Sequence, residues 1–432
     1  MKRTDPQPSC PETYSLDPAF DPAPQSKRRW GILTLTSFGF LLSLFYRVST
    51  AVITPQLTSE LGLTSAELGQ LAAAFFYAFA LSQIPLGLAL DRYGPRIIMT
   101  GLGLTGVAGA LTFASAEAPW QAMLGRLLLG VGMSCNLMGS LTLMASWFPI
   151  NRFGFVSGLI TALGTLGNIL ATTPLAFAAE LLGWRGTFYS LAALNFVQVV
   201  FLFMVVRNRP QSWVSESGNA ASPKGLFNLF KTYSFWAISW STFVRYGFFV
   251  AIQGLWAGPF LIYGLGWDQI STGNALFWMG VGLMIGMPLS GRLSDRVLLS
   301  RKHVIWPSLI ISALISLSIA FWSKDISHLL VYFMFFLIGF FSGPGQIMYA
   351  HIKELAPPEM TARAMTGINL FTMMGSAIFT QALGLVIQGD PKGITGPEGF
   401  APIFYVGAAC LALVTVLYLF TPDARALKNR KK

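Results

Sequence analysis

The stretch Gly87-Leu-Ala-Leu-Asp91-Arg92-Tyr-Gly94-Pro-Arg96 has a shortened echo later in the chain, Gly291-Arg-Leu-Ser-Asp295-Arg296. Asp91 and Asp295 stand 204 residues apart in a chain of 432, about one half of its length. Each copy follows a long apolar run. A repeat of this size predicts two similar halves, the organisation of many secondary transporters.

Around the two copies the chain is a succession of apolar runs, each near the ~20 residues that cross a bilayer. They cover 30–53, 67–90, 97–115, 119–142, 153–178, 184–206, 233–262, 272–293, 303–322, 329–350, 362–387 and 400–421. That predicts twelve spans in two groups of six, halves at 28–206 and 232–423, joined by a polar loop at 207–231. The Pro-rich segment 1–27 reads as a disordered tail without a cleavable signal, and 424–432 as a short basic tail.

Composition agrees. Hydrophobic residues make up 53% of the chain and charged residues 11%, whereas a soluble domain carries about 25% charged. The net charge of +11 does not mark a nucleic-acid binder, because its distribution is topological. Of 29 Lys and Arg, 23 fall on the side shared by both tails and the central loop, and only Arg185, Lys324 and Lys392 on the other. By the positive-inside rule both termini are expected in the cytoplasm, in a membrane such as a bacterial inner membrane. Cys10, Cys135 and Cys410 are too scattered for a disulfide framework or a metal site. No cofactor motif, catalytic triad or paired carboxylates occur, which excludes the usual enzyme chemistries.

Two charges stand out inside spans. Arg47 lies midway along the first span and Arg245 midway along the seventh, 198 residues apart and so at nearly equivalent places in the halves. A charge at mid-bilayer costs at least about 2.5–3.5 kcal/mol. Each arginine is roughly 15–20 Å from a helix end, too far to reach water easily. No Asp or Glu lies mid-span to neutralise them. Arginine holds carboxylates and phosphates in a bidentate way, so an anion between the pair is the expected partner. Tyr46, Tyr77, Gln83, Tyr246, Gln253 and Trp256 are further candidates for lining such a site. Arg126, about seven residues into the fourth span, reads equally as a cavity-shaping residue or as an interface anchor.

With these residues in view, the sequence resembles the major facilitator superfamily. The segment Gly87 to Arg96 matches that family's loop signature, except that Pro95 replaces a basic residue, and Gly291 to Arg296 is similar to its truncated second copy. Arg126 with Gly130 and Gly132, and Trp184-Arg185-Gly-Thr-Phe188, resemble further family motifs. The resemblance implies an all-α integral membrane protein, with twelve helices in two pseudo-symmetric halves and the first and seventh lining a central cavity. It also implies a conformational role for Gly87, Asp91, Arg92, Gly94, Arg96, Arg126, Gly291, Asp295 and Arg296. A carboxylate there can face a helix N-terminus of the other half.

Within the superfamily, Phe45-Tyr46-Arg47, Val244-Arg245-Tyr246-Gly247, Gly343-Pro344 and Glu354-Leu-Ala-Pro357 look like the organophosphate:phosphate antiporters. Gln83 and Leu163 stand where those antiporters carry a basic residue and a histidine, which removes two phosphate contacts. Arg126 and Trp147-Phe148-Pro149 are similar to the anion:cation symporters, which carry organic carboxylates. The expectation is therefore a monomeric secondary transporter of a small organic anion, working by alternating access with a coupling proton or a counter-substrate. An exporter of amphiphiles and a membrane sensor on the same fold are the alternatives.

Overall fold

The computed structural model describes residues 26–148, 150–208, 231–356, 361–387 and 396–423. Both expected tails, apart from Ser26 and Lys27, and most of the central loop lie outside the described residues. The N-terminal half contains α1 (Ser26–Val48), α2 (Thr50–Leu61), α3 (Ser65–Tyr93), α4 (Pro95–Ala114), α5 (Pro119–Met133), α6 (Asn136–Trp147), α7 (Ile150–Leu170) and α8 (Thr173–Val205). The C-terminal half begins with α9 (Tyr233–Ala251), which runs on through two π-helical turns, Ile252–Trp256 and Phe260–Gly264. There follow α10 (Gln269–Arg292), α11 (Lys302–Ile319), α12 (His328–Ser342), α13 (Gly345–Leu355), α14 (Thr361–Val386) and α15 (Ala401–Leu419).

All twelve expected spans fall on these helices. Among the described residues ten helical stretches are long and apolar enough to cross a membrane, and α3 and α7 supply the second and fifth spans. The rim of the bundle carries bare apolar side chains, among them Leu181, Phe201 and Leu413. Lipid is the solvent that such a surface fits.

The repeat is visible in the turns as well as in the sequence. Gly62 and Gly266, again 204 residues apart, both take left-handed backbone, with φ of 64° and 75°. Two residues on, Thr64 and Asp268 cap α3 and α10. The Thr64 hydroxyl accepts the Glu67 N–H at 3.3 Å, and the Asp268 carboxylate accepts the Ser271 N–H at 2.9 Å. A left-handed glycine followed by an N-cap two residues later is a compact helix–turn–helix solution, used once in each half.

Four spans differ from the uninterrupted helices that their apolar runs predict. The first breaks at Ser49, the fourth at Ser134–Cys135, the fifth at Ala171–Thr172 and the tenth at Gly343–Pro344. A single assigned helix, α8, contains the turn between the fifth and sixth spans, at Gly183 with φ 67°. Breaks free backbone carbonyls, and in lipid each one needs a partner.

Candidate substrate site

Polar side chains of neighbouring spans take the carbonyls freed at these breaks. Arg126 donates Nη1 to the Tyr46 carbonyl at 2.8 Å. Ser43 donates to Met133 O at 3.2 Å, and Gln83 Nε2 to Ser134 O at 3.1 Å. Arg245 Nη1 donates to Ser342 O at 2.6 Å and to Ser342 Oγ at 3.0 Å. At this break the Gln346 N–H turns to Gly343 O at 3.2 Å instead of Ser342 O, which leaves the Ser342 carbonyl to Arg245. Broken helices at mid-membrane are where many secondary transporters place their sites.

Arg47 and Arg245 each approach Tyr246. Arg47 is 6% exposed and Arg245 5%. Arg47 Nη1 donates to the Tyr246 hydroxyl at 2.9 Å, across the boundary between the halves. The Arg245 guanidinium lies 5.8 Å from the centre of the same Tyr246 ring, and Tyr349 is in electrostatic range of Arg47, Arg245 and Tyr246. Arg47 also sits over the Phe79 ring at 5.1 Å. Neither arginine has an ion-pair partner among the described residues. Space for Arg245 is made by Gly345, where a Cβ would stand 1.8 Å from the Arg245 Cζ.

Other sequence candidates divide. Tyr77 donates to Gln381 Oε1 at 2.7 Å and so joins the halves at mid-depth. Gln253 lies in a π-helical turn, buried, its Nε2 without a partner. Tyr46 is turned into its own half against Phe188, with 6.0 Å between ring centres. Trp256 is fully buried and donates its indole N–H to Thr380 O at 3.0 Å. These last two form walls and do not present polar atoms to the arginine pair. Arg126 is fully buried, its guanidinium over the Phe75 ring at 5.1 Å. The carbonyl it holds belongs to Tyr46, the residue before Arg47. Ser342, Gly345, Tyr349 and Gln381 were not singled out from sequence. The Gly-Pro-Gly at 343–345 was the signal available for the first two, because it marks a helix break.

The loop residues assigned a conformational role sit at the end of the bundle nearest the termini. Arg96 ties its loop to the sixth span, with its N–H on Asn208 Oδ1 at 2.9 Å and Nε on Phe203 O at 3.0 Å. Asp295 accepts from Arg301 at 2.6 Å, and Arg301 also pairs with Glu354 at 2.7 Å. Arg92 lies over the neighbouring Tyr93 ring, and Arg296 is exposed. These contacts stay within one half. The expected contact to the other half falls on Asp91, whose side chain lies outside those described.

Among the described residues, further contacts between the halves lie at the opposite end. Gly258 packs so closely that a Cβ would come within 2.0 Å of Ala51 O. Gln269 Nε2 donates to Val52 O at 3.1 Å, and Thr173 donates to Asn274 Oδ1 at 2.8 Å.

A bundle of repeated halves, with ten helical stretches among the described residues long and apolar enough to cross a membrane, defines a multi-pass membrane protein. The chain belongs to the Major Facilitator Superfamily, whose model matches residues 35–380 and 257–432. It is 23% identical to the uncharacterized transporter YybO of Bacillus subtilis, over 93% of this chain and 95% of that protein. It is 26% identical to the probable sulfoacetate transporter SauU of Cupriavidus necator, over 63% of this chain and 66% of that protein. Its fold superposes on a bacterial homologue of the human lysosomal transporter Spinster, in an inward-facing and unoccupied conformation. That match has a TM-score of 0.76 and 16% identity, covering 91% of this chain and 97% of that one.

Proposed function

We propose that this secondary transporter moves a small organic anion, a carboxylate or a phosphorylated metabolite, held between Arg47 and Arg245. The single observation that carries the reading is the pair itself. Two buried guanidiniums flank one tyrosine at mid-membrane, and neither has a carboxylate partner among the described residues. Desolvated like charges in one place repel, and an anion between them removes both penalties. Tyr77, Gln83, Tyr246 and Gln253 complete the site. Similarity to a probable sulfoacetate transporter supports the anionic class.

Alternating access then means parting the contacts at Ala51–Gly258 and Thr173–Asn274 while the other end closes. The Lys and Arg asymmetry supports cytoplasmic termini in an inner membrane, which makes the present state inward-facing. Movement of the anion is coupled to a proton or to a counter-substrate. The test is uptake of labelled carboxylates and phosphate esters by proteoliposomes. The wild type takes up at least one of them, and Arg47→Ala and Arg245→Ala lose that uptake while remaining folded. Normal uptake by both variants contradicts the assignment.

A further inference from the structure

Three arginines from three separate elements gather where α8 ends. Arg28 of α1 donates Nε to Val205 O at 2.9 Å, and Arg96, in the first turn of α4, donates Nε to Phe203 O at 3.0 Å. Arg207 stands two residues past the end of α8, its carbonyl held by the Trp147 indole N–H at 2.9 Å. Arg28 lies in electrostatic range of both Arg96 and Arg207. None of the three belongs to an ion pair among the described residues. The helix carbonyls occupy only the Nε of Arg28 and of Arg96. Their Nη nitrogens, and the whole Arg207 guanidinium, have no hydrogen-bond partner among the described residues.

Packing accounts for where these side chains lie but leaves their charge unanswered. The last carbonyls of α8 favour a cation, yet α1 and α4 both begin here, and helix N-termini favour an anion. Like charges in range of one another repel, and a phosphate oxyanion can meet several guanidiniums at once. Beside the arginines the apolar side chains of Trp30, Ile97, Phe203 and Met204 are exposed. Phe203 lies under the Arg96 guanidinium, 4.4 Å from it to the ring centre. Cations at the mouth of a span, next to bare apolar side chains, suit a ligand with a phosphate at one end and acyl chains at the other. We propose that Arg28, Arg96 and Arg207 form a headgroup site for an anionic phospholipid of the leaflet on the side of the termini. A free phosphate shares the headgroup chemistry but leaves the apolar flank uncovered, so the lipid is the assigned occupant. This site does not depend on what Arg47 and Arg245 bind.

The experiment is thermal unfolding of the purified full-length protein in detergent, titrated with phosphatidylglycerol, phosphatidylcholine or inorganic phosphate. Phosphatidylglycerol should raise the melting temperature saturably, by mass action, and the other two should not. Arg207 is exposed and its side chain has no bond to lose. Arg207→Gln should therefore fold normally and weaken the apparent affinity for phosphatidylglycerol about fivefold, the worth of one basic residue at an anionic surface. Arg28→Gln combined with Arg207→Gln should abolish the shift. Arg292→Gln removes an exposed arginine from the second copy of the repeated loop and should respond like the wild type. An equal shift with phosphatidylcholine would mean apolar packing alone and overturns the proposal. A shift with phosphate that matches phosphatidylglycerol overturns it too, because the occupant is then a free ion. So do an equal weakening in Arg292→Gln, which would point to bulk charge, and a wild type that phosphatidylglycerol does not shift.

Discussion

Arg47 and Tyr246 belong to different halves of the chain, yet the Arg47 guanidinium donates to the Tyr246 hydroxyl at 2.9 Å. Because Tyr246 follows Arg245 directly, this one hydroxyl couples the cation of the first span to that of the seventh. A phenol can accept from Arg47 and still donate to an anion. Tyr246→Phe removes both roles while keeping the ring that faces Arg245. Anion affinity should fall about tenfold, near 1.4 kcal/mol and at the low end for hydrogen bonds to charged groups, with little change in melting temperature. Titration of the variant checks this, and an unchanged dissociation constant would show that the hydroxyl is a bystander.

Gly345 is the seat of the Arg245 guanidinium. A methyl group there would overlap Cζ at 1.8 Å, so the arginine must leave the Ser342 carbonyl. Gly345→Ala is expected to reduce transport at least tenfold. The decisive comparison is the melting temperature of the double variant, since Arg245→Ala already lacks uptake: in that background the added methyl should cost no further stability, because the pair acts as a unit. Additive losses would mean that Gly345 matters for helix packing alone.

Arg126 poses a sharper question, because stability and activity should separate there. Its Nη1 holds the Tyr46 carbonyl, but Nε and Nη2 are buried without partners. A cation in that position is costly. Arg126→Leu should therefore melt at the same temperature or higher, yet transport less than a tenth as fast, because Arg47 is one residue from the released carbonyl. Lower stability with full transport per folded molecule would contradict this account.

What the sequence revealed, and what it withheld, divides along physical lines. The helical, membrane-spanning architecture and the nearly equivalent places of Arg47 and Arg245 were legible because charge is rare in apolar runs and spacing survives folding. The facing of Tyr46 and Trp256 was not, since helices that are apolar on every side carry no periodic signal to orient them. The second hidden feature was the helix breaks. The carbonyls of Tyr46, Ser134 and Ser342 became acceptors only because the helices stop there, and propensity gave no warning at Ser49 or Ser134. Partners distant in sequence, such as Gln381 for Tyr77, emerge only when the halves meet.

The closed end must open if the protein works by alternating access. Thr173 and Asn274 face each other there across the halves, their oxygens 2.8 Å apart. Thr173→Cys with Asn274→Cys, in a background lacking Cys10, Cys135 and Cys410, should form a disulfide under oxidation. Uptake should stop when the bridge forms and return when it is reduced. Transport that continues with the bridge intact would show that this contact never parts.

The central claim is that Arg47 and Arg245 hold an anion, and thermal stability in detergent tests it most directly. A ligand that binds only the folded protein raises the melting temperature by mass action, about 2.7 kcal/mol at one hundred times its dissociation constant. The measurement compares a panel of carboxylates, phosphates and neutral or cationic controls on the wild type, Arg47→Ala and Arg245→Ala. The account predicts that at least one anion stabilises the wild type and neither variant. Stabilisation by neutral or cationic compounds alone, or equal stabilisation of all three proteins by anions, would contradict it.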